Sequence, residues 1–411
     1  MDFDDTPEQI RFRQECVAWL EANASRRNDE GSAEMWRMLR PRTEEDDASG
    51  LAAAKTWQAR KAEAGFAGIT WPVAYGGRAL SPQLAAIFKS EESHFDVPGN
   101  AFQVGVDMVG PTLIAHGSPE QQLQHLDPCR RGEEVWCQLF SEPGAGSDLA
   151  GLSTRALRDG DEFIVNGQKV WTSGAHVSDW GILLVRTNLD APKHRGITYL
   201  LVDMRTPGIE VRPLRQIDGA IHFSEVFLTD VRIPVGNVVG AIDEGWRVTM
   251  TTLMNERSAI GGGGMVQFRE VMLLARQMGV TDDPVIRQKL ARLHASYEIT
   301  RFLGYRVQTA LARGEAPGSE SSVIKLHISR QYEMGGSLFE EMLGAQGMIW
   351  RDDAPFGGWF QDLFLSQWAP RIGGGTDQIQ RNIVGERVLG LPSEPRPDRE
   401  ISYRDLQRPA T

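Results

Sequence analysis

Apolar residues at Ile10, Val17, Trp19 and Leu20 recur with roughly helical period behind Thr6-Pro7-Glu8-Gln9. That start suits a helix: Thr6 caps, Pro7 fits the first turn and Gln9 closes a capping box. Gly31 to Gly50 is polar and acidic, a loop or a marginal helix. Helical spacing resumes from Leu51 to Ala64 and from Pro82 to Phe95, with Trp71-Pro72 and Tyr75-Gly76-Gly77 as turns between them. From Val135 to Pro234 the period shortens. Glu162–Val165, Asn166-Gly167 and Gln168–Trp171 predict a hairpin with a primed turn. Strand-like runs follow at Trp180–Arg186, Ile197–Asp203, Ile209–Pro213 and Phe223–Leu228. After Gly245 helical spacing returns at Trp246–Met278, Pro284–Arg313, Ser321–Leu343 and Thr376–Leu389, broken at Gly314-Glu315-Ala316-Pro317-Gly318. Helices, strands, then helices predict an α+β chain with a segregated β barrel or sandwich. The boundaries fall at 1–133, 134–238 and 239–411.

Composition narrows the class. A chain of 411 residues can bury two or three cores, and 41% apolar with 24% charged residues excludes a disordered reading. The net charge of −11, without a basic run, argues against a nucleic-acid partner, although a pocket can still hold a local positive field. Three cysteines without a CxxC suggest a reducing compartment and no metal cluster. The acidic start Met1-Asp2-Phe3-Asp4-Asp5 predicts neither signal nor transit peptide, and no apolar run reaches bilayer length. These features predict a cytoplasmic protein without membrane insertion.

The chemistry sits in three motifs. Ser141-Glu142-Pro143-Gly144-Ala145-Gly146-Ser147-Asp148 opens the strand region. Its glycines let a tight turn present N–H groups and the Ser147 hydroxyl to an anion, although an isolated PGAG is more often a plain turn. No βαβ unit surrounds it, so it is not a dinucleotide-fold fingerprint. Asn166-Gly167-Gln168-Lys169-Val170-Trp171-Thr172-Ser173-Gly174 follows, and Gly374-Gly375-Thr376-Asp377-Gln378-Ile379-Gln380-Arg381 lies near the end. A strand Trp is by itself more often core than ligand contact. Gly373-Gly374-Gly375-Thr376 can equally be an ordinary helix start with Thr376 as cap.

Taken in order, with Trp71-Pro72, Tyr75-Gly76-Gly77, Asn382–Arg387 and Leu389-Gly390-Leu391-Pro392, these motifs resemble the acyl-CoA dehydrogenase family over nearly the whole chain. The resemblance implies an N-terminal helical domain, a middle β barrel and a C-terminal four-helix bundle. It implies FAD as cofactor, an acyl-CoA substrate desaturated to its trans-2-enoyl product in β-oxidation, and an electron-transferring flavoprotein or similar acceptor. By carry-over, Phe140 and Ser141 face the isoalloxazine ring and Ser147 approaches the pyrophosphate or thioester. Trp171 flanks the flavin, and Ser173 replaces the commoner Thr beside it. Thr376 and Gln378 contact the cofactor, while the Gly374 or Gly375 N–H polarises the thioester carbonyl.

Such a reaction needs a carboxylate base in a dry pocket, with hydrogen bonds stabilising the enolate. Many members place that Glu where this chain has Gly374. A second family pattern puts it on the long helix after the β domain, before an Arg, and Asn255-Glu256-Arg257 stands there. As an anonymous pair it would be a solvated surface pair. The resemblance makes Glu256 the base and sets Arg257 beside the substrate. The family's Arg-x-x-Phe-Gly loop has no counterpart here. Arg287 stands in for its pyrophosphate contact, and Gly344 in Leu343–Gly347 matches the loop that meets the FAD adenine end across a subunit interface. A homodimer or homotetramer is implied, with a heterotetramer also open. Ala259–Gly264 beside the base, with Gly374 bare opposite, predicts a wide acyl pocket. The competing readings are a monooxygenase or nitroalkane oxidase on the same fold, or a subunit of a heteromeric dehydrogenase.

Overall fold

A computed structural model describes residues 5–27, 44–99, 101–260, 268–312, 320–350, 353–396 and 398–407. Helix α1 (Pro7–Asn23) starts with the predicted capping box: Gln9 N donates to Thr6 Oγ1 and Thr6 N donates to the Gln9 side chain. Its buried face is Phe12, Cys16 and Leu20, whereas Ile10 is exposed. That face packs on α2 (Glu44–Glu63), which begins before the predicted Leu51, and on α3 (Pro82–Glu92). Phe95 leaves the helix for a short strand pair, β1 (Ser25–Arg26) with β2 (Phe95–Asp96).

A π-helical turn, Val104–Val109, runs into α4 (Gly110–His116). Gly110 is required there, since a Cβ would sit 1.9 Å from the buried Trp71 ring. Helix α5 (Pro119–Arg131) has its own capping box from Ser118 and Gln121.

Seven strands then form one curled sheet: β3 (Trp136–Leu139), β4 (Arg155–Asp159), β5 (Glu162–Ser173), β6 (Trp180–Arg186), β7 (Ile197–Asp203), β8 (Ile209–Leu214) and β9 (Phe223–Pro234). Their order is β3-β6-β4-β5-β9-β8, with β7 on β6. The hairpin expected at Asn166-Gly167 is corrected: β5 runs straight through it. Asn166 makes a bulge against β9, held by reciprocal hydrogen bonds with Asp230. Gly167 leaves room for Thr154, whose Oγ1 would lie 2.5 Å from a Cβ. The true hairpin turn is Gly160-Asp161, between β4 and β5, with Gly160 at φ +62°.

Helix α6 (Gly245–Ile260) follows the sheet, then α7 (Phe268–Gln277), α8 (Pro284–Ala312) and α9 (Glu320–Leu343). The single helix expected from Trp246 to Met278 is thus two described helices, and the glycine run Gly261–Gly264 lies outside the described residues. Helices α10 (Trp359–Ser366) and α11 (Asp377–Ile383) complete the C-terminal region, and a π-helical turn, Val384–Val388, occupies the end of the expected last helix.

One core cluster joins Trp71 and Val109 to Trp136, Phe140 and Tyr199 of the sheet region and to Val248 of α6. A second, with Leu274, Leu290, Leu338 and Phe360, holds the C-terminal helices. Among the described residues, no helix is long and apolar enough to cross a membrane.

Candidate active site

The site grows from the end of β3. Phe140, Ser141 and Glu142 continue this strand and lie along β5, where Val170 N donates to Ser141 O at 2.9 Å. The Phe140 side chain is buried, edge-on to the Tyr199 ring at 5.9 Å. The side chain belongs to the core cluster, and the backbone leads on into the glycine loop. Its carbonyl is taken, accepting from Lys169 Nζ at 3.1 Å.

Lys169 and Glu142 form a buried ion pair of 2.8 Å that sequence reasoning missed. Glu142 also accepts from Ser153 N, Ser153 Oγ and Thr154 N. Burial alone would raise its pKa, but the Lys169 charge and these donors hold it at about 2. Burial pushes the Lys169 ammonium downward despite Glu142. We assign the pair as ionised, because four donors converge on one carboxylate.

The pair pins both ends of the loop that carries Gly144, Gly146 and Ser147. A Cβ at either glycine would meet nothing within 4 Å, and Ser147 is exposed, so the loop presents its backbone and hydroxyl to open space. Two residues beyond Lys169, Trp171 takes φ +62° at a second bulge in β5. The bulge turns the indole outward, 61% exposed and edge-on to Phe223, with Ser173 exposed beside it. A non-glycine residue held at positive φ is a costly feature that concentrates at functional sites.

Glu256 lies on α6 and reaches this region. Gln138 Nε2, on β3 two residues before Phe140, donates to Glu256 Oε2 at 3.3 Å. One turn earlier, Thr252 Oγ1 meets Thr112 Oγ1 at 2.9 Å and Tyr199 OH at 3.1 Å, so the helix is keyed to α4 and to β7. Tyr199 in turn packs on Phe140. Base candidate and loop therefore share one scaffold. Gln138, Thr252 and Tyr199 carried no sequence signal, since such contacts are set by tertiary register. Arg257 follows on the helix, and its side chain lies outside the described residues.

The remaining candidates lie on the C-terminal helices. Gly374 and Gly375 take φ +63° and +86°, and Thr376 caps α11 by accepting from Ile379 N at 3.2 Å. Gln380 Nε2 donates to Gly374 O. Gln378 is exposed. Arg287, exposed in the first turn of α8, and Gly344, after α9, lie at the end of the helix pair that Lys289 and Glu341 bridge. A cleft lies elsewhere, between α9 and α11.

An outward indole on the strand paired with the entry to a glycine loop that carries an exposed Ser147 suits a planar ring system with a phosphate tail. Comparison with known proteins gives the family. Family profiles for the N-terminal, middle and C-terminal domains of acyl-CoA dehydrogenases match residues 6–133, 137–231 and 243–389. The chain belongs to the acyl-CoA dehydrogenase family and is an enzyme acting on CH–CH donors. It is 41% identical over 348 residues to acyl-CoA dehydrogenase IpdE1 of Mycobacterium tuberculosis, covering 83% of this chain and 88% of that protein. Among solved structures, the Tcur3481-Tcur3483 steroid ACAD matches with a TM-score of 0.80 and 30% identity, over 96% of this chain and all (100%) of that one. The ChsE4-ChsE5 complex from M. tuberculosis matches at 0.76 and 28%, again over 96% and 100%.

Proposed function

We propose that this chain α,β-dehydrogenates an acyl-CoA thioester bearing a bulky, ring-containing acyl group, with FAD as cofactor and Glu256 as base. The observation that carries the reading is the Gln138–Glu256 hydrogen bond, which sets a half-buried carboxylate at the seam between α6 and the strand leading into the Gly144–Ser147 loop. Gly374 supports it from the other side: at φ +63° it occupies a backbone conformation that would strain a Glu there.

FAD, when bound, supplies the acceptor for the hydride leaving Cβ. Trp171 would cover one face of its ring, with Ser141 and Ser173 offering hydroxyls at the rim. Ser147, Thr376 and Gln378 would hold the rest of the cofactor and the thioester. Glu256 takes the Cα proton, the Cα–H electrons form the double bond, and the Gly374 or Gly375 N–H stabilises charge on the thioester oxygen. Gln138 orients the carboxylate throughout. An electron-transferring flavoprotein or similar protein would reoxidise the flavin.

The acyl group is inferred from the steroid enzyme among the structural relatives. The two-chain names of both solved relatives also favour a second reading of assembly, in which this chain pairs with a different subunit. Arg287, Arg257 and Gly344 would then serve a site shared between chains.

Anaerobic mixing with acyl-CoAs tests base and substrate together. Polycyclic acyl-CoAs should bleach the flavin with higher kcat/KM than straight chains. Glu256→Gln should keep FAD but slow bleaching by at least about 10³-fold. Near-normal bleaching in that variant removes Glu256 as base, and a preference for unbranched chains removes the substrate assignment.

A further inference from the structure

The π-helical turn Val104–Val109 stands directly before α4, and Gly110 N reaches back past the usual α-helical partner to donate to Gly105 O. Such turns are rare and gather at functional sites. Gly105 lets this one sit close to β3: a Cβ there would lie 2.7 Å from Cys129 Sγ and 3.2 Å from Trp136 Cδ1. The same turn packs on α6. Met108 O accepts from Thr112 Oγ1 at 2.7 Å, and that hydroxyl meets Thr252 Oγ1, one helical turn before Glu256. The turn therefore lies against both segments that hold the candidate base, the strand of Gln138 and the helix of Glu256.

Its residues are valines, a glycine, a methionine and one acid, Asp107. Val104 and Val106 pack on core clusters, and Met108 and Val109 are buried. A carboxyl in such company normally finds a partner, because a buried polar group without one is costly. The Asp107 carboxyl makes no hydrogen bond or ion pair within the described residues, and the residue is only partly covered. Of the charged groups around it, Lys61 is engaged with Glu92 at 3.2 Å, and Glu92 also accepts from Trp57 Nε1 at 2.8 Å. Burial raises the Asp107 pKa, while Lys89 and Lys61 pull it down and Glu92 pushes it up. That direction favours the neutral acid, which donates through its O–H and accepts through its carbonyl. An acid that the fold itself leaves unpaired, beside the base and among apolar side chains, is placed to meet a polar atom on a mostly apolar ligand.

We propose that Asp107 is a specificity-determining residue that hydrogen-bonds a hydroxyl or keto oxygen on the ring-containing acyl group. The inference rests on the dehydrogenase reading and deepens it, by adding a polar contact on the acyl body, away from the thioester. An apolar wall discriminates weakly between acyl groups of similar shape. A site built to hydrogen-bond a ligand oxygen rejects the analogue lacking it much more strongly, since its own polar group is then left unpaired.

The test uses the holoenzyme with bicyclic and tetracyclic acyl-CoAs, each as ring ketone, ring alcohol and deoxy form. Two quantities are read: kcat/KM for anaerobic flavin bleaching, and the calorimetric Kd of the matching enoyl-CoA products. Wild type should favour an oxygenated form by at least about tenfold in both, the scale of one hydrogen bond. Asp107→Asn keeps a donor and an acceptor and should retain the preference. Asp107→Leu should abolish it, weakening the oxygenated ligand and strengthening the deoxy one. Urea midpoints separate this from a structural role: Asp107→Leu removes an unpaired polar group from apolar surroundings, so it should be at least as stable as wild type. No preference in wild type, or the same preference in Asp107→Leu, overturns the proposal. If Asp107→Leu does not fold, Asp107→Ala is judged by the same comparison. Enoyl-CoAs that bind with the predicted preference while no acyl-CoA bleaches the flavin would sink the dehydrogenase reading and leave the Asp107 contact standing. Bleaching without any preference for a ring oxygen does the reverse.

Discussion

Trp171 combines an exposed indole with a left-handed backbone, a conformation that costs an L-residue about 1–2 kcal/mol. Two substitutions separate the two features. Trp171→Ala and Trp171→Gly both remove the indole, so both should retain flavin poorly. Only glycine escapes the backbone cost, so Trp171→Gly should be more stable than Trp171→Ala by about 1 kcal/mol in urea unfolding of the flavin-free proteins. Equal stabilities would mean that the bulge carries no strain. The Trp itself was legible through its motif. Its conformation was not, because a bulge is a property of two paired strands, and β9 supplies the other half.

At the scale of the elements, the loop-to-strand seam depends on Lys169 and Glu142. Removing one partner of a buried pair strands the other charge, so Lys169→Met should destabilise the fold by about 3–5 kcal/mol. The pH dependence has a definite sign. Glu142 is held at about 2, below its ordinary 4.5, so its contribution is present above the ordinary value and is lost as pH falls from there towards 2. Without the ammonium, Glu142 titrates at higher pH, so the variant should lose its remaining stability earlier on acidification. Urea midpoints between pH 7 and pH 3 measure both effects. An unchanged midpoint at pH 7 would show the pair to be dispensable.

The elements also show how far sequence could reach. The strands Trp180–Arg186 and Ile197–Asp203 are found as read, because continuous apolar runs between turns leave little choice. Helix α1 was equally plain from its cap. Asn166-Gly167 misled because its dipeptide suits a primed turn and a bulge alike, and only the contacts with Asp230 and Thr154 decide between them. For the candidate site, the motif glycines, Trp171 and Glu256 were proposed through resemblance. Gln138, Glu142 and Lys169 were not singled out, since their roles arise from register between distant segments.

For the whole molecule, the exposed Arg287 and Gly344 lie at one end of the α8–α9 pair, far along it from the cleft. If they serve a neighbouring chain, the purified protein should have a native mass above that of one chain. Arg287→Ala should then lower its flavin-to-chain ratio without changing that mass. Analytical ultracentrifugation with absorbance at the flavin band reads both. A monomer that keeps full flavin occupancy would rule out sharing.

Residues 398–407 lie back against the sheet. Tyr403 OH donates to Gly151 O, Tyr403 N donates to Ala191 O, and the Arg186 guanidinium sits 4.0 Å over the Tyr403 ring. Lys193 bridges Asp148, from the glycine loop, to Asp398. The Tyr403–Gly151 contact spans 252 positions, so during synthesis the ribosome has delivered the entire sheet long before its last support exists. Until then the segment after Ser147 lacks one of its walls. The nascent chain must keep that edge from other partners, and a ligand recruited early would meet an unfinished loop.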